Sequence, residues 1–149
     1  MNVTFLMTYQ PTDEQSVKKF EELIGFPLPA DYRSFLLAAN GGHKPKPKGF
    51  KIETGEPSML AYLYPVSHEE GYDLQEHFHD MREELPTGVI RIGEDIGGNP
   101  ICLAITGDDE GAVLFMDHEV ETGSHEDGWD NLYFCARSFT EFMENLSDE

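Results

Sequence analysis

Between residues 88 and 117 three short apolar runs, GVIRIG, PICLAI and AVLFMD, are separated only by EDIGGN and TGDDEG. Connections that short cannot carry a crossover helix, so consecutive strands must return antiparallel, and a meander is the expected result. Gly97 and Gly98 supply the backbone freedom of the first turn, and Pro100 opens the next strand without needing its N–H. Two further apolar runs, MLAYLYPV at 59–66 and LYFCA at 132–136, read as strands of the same sheet.

Helices are predicted on either side of the meander. TDEQSVKKFEELIG carries Thr12 as N-cap with Gln15 three residues on, places Val17, Phe20, Leu23 and Ile24 on one face, and stops at Gly25. A second helix follows Pro29, with Tyr32, Phe35, Leu36 and Ala39 inward, and ends at Asn40, Gly41 and Gly42, which accept positive φ. YDLQEHFHDMREEL is the third, with Leu74, Phe78, Met81 and Leu85 on its apolar side. SFTEFMENL closes the chain, capped by Ser138 with Glu141 at N3. HKPKPKGFK, with its alternating lysines and prolines, reads as an exposed extended loop, the one basic spot on the chain, as either a solvated linker or a binding loop. No repeat or linker divides the chain, so one domain is expected over 1–149.

Charge narrows the function classes. The net charge is −19, and residues 94–149 carry −14 of it, Arg137 being their only basic residue. Such a surface repels nucleic acid and anionic membranes and attracts a basic partner. The alternative is that the excess carboxylate only keeps the protein soluble. Cys102 and Cys135 sit in apolar runs and read as small buried hydrophobes in a reducing compartment. With no secretory n-region and no run of about 20 apolar residues, a cytoplasmic protein is expected.

Chemistry-bearing motifs are absent or poorly spaced. GEDIGGNP has neither the Walker nor the dinucleotide spacing, and Glu94 and Asp95 stand where a phosphate would approach. Neither acidic turn has the alternating ligands of an EF-hand. His77 and His79 point about 200° apart on a helix and cannot share an ion, although His79 and Glu83 lie one turn apart. No G-x-S-x-G elbow occurs. The expectation is a non-enzyme with no cofactor and no metal.

Two segments and the closing helix together resemble the SUKH superfamily, whose founding members are the Smi/Knr-type regulators of fungal cell-wall synthesis. LIGFPLPADYRSFLLAANGG is similar to its N-terminal signature, IGEDIGGNPICLAITGDDEGAVLFMDHE to its second, and SFTEFMENL to its last helix, in the family's order from Phe20 to Leu146. Asn99 and Ala104 stand where aspartates are common, and the Lys-Pro segment looks inserted. The resemblance implies an α+β fold, a single domain with a mainly antiparallel β-sheet flanked by α-helices. For bacterial members it implies an immunity protein that binds and neutralises a toxin domain, commonly a nuclease, whose own face is basic. A constitutive regulatory scaffold and, less favoured, a metal-dependent enzyme are the rival readings.

The partner-binding residues expected from acidic density are Glu94 and Asp95 in one turn, Asp108, Asp109 and Glu110 in the next, and Asp117 and Glu119 at a strand end. Glu94, Asp95, Asp117 and Glu119 fall at the same end of the meander. Trp129 is either an aromatic anchor among acidic neighbours or a core residue pinning its loop. Reversing Glu94 and Asp95 to lysine is expected to weaken binding and leave stability nearly unchanged.

Overall fold

The computed structural model describes residues 3–66, 73–81, 85–117 and 131–148. In chain order the described elements are β1 (Thr4–Met7), α1 (Glu14–Ile24), α2 (Ala30–Ala38), β2 (Gly42–Lys46), β3 (Gly49–Lys51) and β4 (Pro57–Leu63). They continue with α3 (Leu74–Met81), β5 (Val89–Asp95), β6 (Pro100–Ala104), β7 (Val113–Met116), β8 (Leu132–Ala136) and α4 (Phe139–Glu144). The strands form one antiparallel sheet in the order β1-β2-β4-β5-β6-β7-β8, with β3 paired to β4. The expected meander is β5–β6–β7.

Strand alternation divides the apolar residues between two cores. Ile101, Leu103, Val113 and Phe115 join the larger one, with Val17 and Phe20 of α1, Leu36 of α2 and Phe142 of α4. Cys102, Ala104, Leu114 and Met116 join a smaller one on the other face. A strand buried on both faces needs an unbroken apolar run, which is why PICLA and VLFM lack polar alternation. Aromatic contacts bind α2 to α4: the Phe35 and Tyr32 rings lie 4.9 and 5.0 Å from that of Phe139. Asp31 adds a polar clamp, accepting hydrogen bonds from the Thr140 N–H and hydroxyl, each at 2.9 Å.

Several local expectations are corrected. The α1 cap is Asp13, whose side chain accepts from the Ser16 N–H at 2.8 Å, one residue beyond Thr12. Leu23 lies outside the core at 39% exposure, because the buried stripe of Val17, Phe20 and Ile24 is narrow. The Lys-Pro segment, expected as a loop, forms β2 and β3. The physical reason is local: β2 pairs with β4 only at Gly42 and His43 and then peels away. Pro45 therefore lies beyond the stretch where β4 would ask it for an N–H. β1, for which the sequence offers no turn-bounded signal, pairs along its other side.

Asn40 and Gly41 fasten the α2 terminus to the sheet. Asn40 is fully buried at φ 49°, accepts from the Val66 N–H at 2.9 Å and donates to the Gln10 carbonyl at 2.8 Å. The Asn-Gly-Gly ending is thus architectural, joining three segments distant in sequence. The expected caps at Gly25 and Ser138 are present, Ser138 Oγ accepting from the Glu141 N–H at 3.0 Å.

Candidate partner-binding surface

The β5–β6 turn is organised around one carboxylate. Asp95 Oδ1 accepts from the Gly97 and Asn99 N–H groups at 2.9 and 2.8 Å. Its Oδ2 accepts from Ser58 Oγ at 2.7 Å and Asn99 Nδ2 at 3.1 Å. Gly98, at φ 84°, lets the chain reverse and return its N–H to the Asp95 carbonyl at 3.1 Å. GEDIGGNP is therefore a hairpin turn wound on Asp95, which is only 4% exposed. The expectation that reversing Glu94 and Asp95 leaves stability unchanged is overturned, since a lysine at 95 would replace four accepted hydrogen bonds with a buried cation.

Glu94 points to the other face, as adjacent strand residues must. Its carboxylate accepts from Arg91 at 2.6 Å and from the Tyr64 hydroxyl at 3.0 Å. Arg91 also lies 5.5 Å from the centre of the Tyr64 ring, which stacks on His77 at 3.7 Å. Burial raises the Tyr64 pKa, so its hydroxyl stays a donor. Glu94 and Asp95 consequently serve different surroundings and do not act as a pair.

Asp95 and Asp117 do come together. With Glu56, which composition alone did not single out, they line a polar concavity of about 330 Å³, together with Ser58, Asn99 and Tyr133. Among the described residues no lysine or arginine lines it. Glu56 is exposed and Asp117 half-buried. Sequence density missed Glu56 because the charge that matters arrives through β3–β4 pairing, not from neighbours in the chain. At the opposite end of the meander Asp108, Asp109 and Glu110 are exposed in the β6–β7 turn, so they cannot share this concavity. Glu119 and Trp129 lie outside the described residues, as does Glu83.

Neither cysteine is poised as a nucleophile. Burial pushes the Cys102 and Cys135 thiols up to about 12, which keeps them protonated. Among the described residues no group of three or more His, Cys, Asp or Glu is arranged to hold a metal ion. No helix is long and apolar enough to cross a membrane, again among those residues.

His43 sits in a partly buried aromatic setting. The Tyr9 hydroxyl lies in hydrogen-bond contact with its Nε2, and its ring stacks on Tyr62 at 4.6 Å. Burial lowers its pKa below the ordinary 6.5, Lys44 adds to the shift, and Glu94 opposes it. The unfolded chain therefore binds a proton that the folded chain refuses. Stability should fall as pH drops below about 6.5 toward the lowered folded value. Urea titrations at pH 7.5 and 5.5 are expected to give a smaller pH-dependent loss for His43→Gln than for the parent protein.

The elements and surface together define one α+β domain, whose described residues form an eight-stranded antiparallel sheet and four helices, with a polar concavity at the β5–β6 turn. Residues 11–145 match the SMI1 / KNR4 family (SUKH-1), and the chain belongs to that family. It is also 32% identical over 155 aligned residues to the SPbeta prophage-derived uncharacterized protein YokK of Bacillus subtilis (strain 168), covering 93% of this chain and 76% of the relative.

Proposed function

We propose that this protein is a non-catalytic immunity protein that binds a toxin domain, of the basic nuclease class, and neutralises it by covering its active site. The observation that carries the reading is the carboxylate-lined concavity, which has no basic residue among the described ones, on a chain of net charge −19. A side chain such as arginine, extended from a basic face, would meet Glu56 and Asp117 there and find complementary charge. Family membership supports the same reading, as does likeness to a protein named as prophage-derived, since mobile elements carry competition systems. On this reading Asp117 and Glu56 set the potential at one end, Asp108, Asp109 and Glu110 steer from the other, and Glu119 adds acidic charge. Trp129 is the aromatic anchor, and Asp95 holds the turn rather than touching the partner.

Titration of the purified pair tests the reading. Combining Glu56→Lys with Asp117→Asn is expected to weaken binding at least roughly tenfold, chiefly at low salt, because opposite charges across an interface act over the Debye length. Reversal of Asp108, Asp109 and Glu110 should slow association more than it speeds release. Unchanged affinity in both variants, at two salt concentrations, would remove electrostatic occlusion as the mechanism.

A further inference from the structure

A second concavity, of about 970 Å³, has the opposite charge. It opens where β2 turns away from β4 and is lined by Lys44, Lys46 and Lys48 over an apolar surface that includes Leu6, Tyr62 and Ile96. Three of the ten basic residues in a chain of net charge −19 gather here. All three lysines are exposed, and among the described residues none takes an ion pair. Asp148 is the acidic residue that reaches the lining.

Two further observations set this groove apart from a solvated basic face. Leu6 is 76% and Ile96 67% exposed on its walls, large apolar side chains without internal partners to justify them. Lys44 sits at φ 52°, in the left-handed region that lysine ordinarily avoids, and this twist accompanies the parting of β2 from β4. Such strain persists only where the surroundings over-determine it, and it concentrates at binding sites.

We infer that this groove docks an extended acidic peptide whose carboxylates alternate with apolar residues. Lys44, Lys46 and Lys48 lie two positions apart, so the Cα atoms of successive lysines stand at most about 7 Å from one another, although the chain is twisted at Lys44. Alternate side chains of an extended peptide repeat at about that interval, so carboxylates at every second position come within reach of the long, exposed lysine side chains. The intervening apolar side chains lie against Leu6, Tyr62 and Ile96. Leu6 and Ile96 would stay exposed beside a small anion but are covered by a peptide's apolar side chains, which favours a peptide. The inference does not rest on the toxin reading, because a basic toxin face would be repelled here.

Fluorescence anisotropy with a labelled hexapeptide alternating glutamate with leucine or valine tests it directly. Saturable binding with a Kd of about 10–100 μM is expected, in the range of short peptide docking. Lys46→Glu combined with Lys48→Glu should weaken it roughly tenfold or more, and Leu6→Asp should weaken it independently. All three positions are exposed, and far-UV circular dichroism would verify that the variants fold. The same peptide with lysine in place of glutamate should not bind. Absence of saturable binding, indifference to the lysine reversals, or equal affinity for polyglutamate lacking apolar residues would each overturn the proposal.

Discussion

Gly41→Ala is expected to lower stability by about 4 kcal/mol, the range reached when backbone strain and a steric conflict coincide. Gly41 adopts φ 81°, where an L side chain is strained by roughly 1–2 kcal/mol. A Cβ there would also stand 2.5 Å from the Leu63 carbonyl oxygen and 3.0 Å from the Tyr64 carbonyl carbon, both of them main-chain atoms that cannot rotate aside. Relief requires moving the end of β4, which carries Gly42–Leu63 pairing on one side and Leu63–Gly93 pairing on the other. Gly25→Ala supplies the comparison, since its φ is 85° but a Cβ would meet nothing within 4 Å. Its loss should stay near 1 kcal/mol, close to the conformational term alone. Equal denaturant midpoints for the two variants would mean that Gly41 is needed only for its φ.

Asp95→Ala is expected to lose about 3 kcal/mol, because hydrogen bonds to a carboxylate are individually worth more than neutral ones and four donors lose their acceptor together. The estimate is below a simple sum, since the Gly97 and Asn99 N–H groups sit in a turn that water can reach once it loosens. Asp95→Asn keeps one acceptor for those N–H groups and should retain most of the stability. Glu56→Gln, at an exposed site on the same concavity, should change it by under about 0.5 kcal/mol. Thermal melts of the three variants separate the turn's architecture from its charge.

Legibility from the sequence followed the range of the forces involved. The meander was readable because short turns and apolar runs act locally, and the caps at Gly25 and Ser138 because a single residue satisfies them. β2 was not readable, since whether a Pro-bearing segment can enter a sheet depends on which neighbouring strand asks for its N–H. The acidic turns show the same division. Asp108, Asp109 and Glu110 are exposed as charge density implied, whereas Asp95 turned inward because Ser58, 37 positions earlier, donates to it. Glu56 entered the candidate site, and Glu94 was drawn to Tyr64, through strand pairings that leave no local sequence mark, whereas its partner Arg91 lies three residues away on the same strand. The family resemblance was legible where architecture concentrates, and Asn40 and Gly41 explain why that signature carries Asn-Gly-Gly.

Co-expression rescue is the most direct test of the central claim. The C-terminal domain of the large protein encoded immediately upstream would be induced in a heterologous host with and without this protein, and survival counted. Abolished toxicity, accompanied by tight and salt-sensitive binding of the purified pair, is the predicted result. A toxic domain that this protein neither binds nor relieves would contradict the immunity reading.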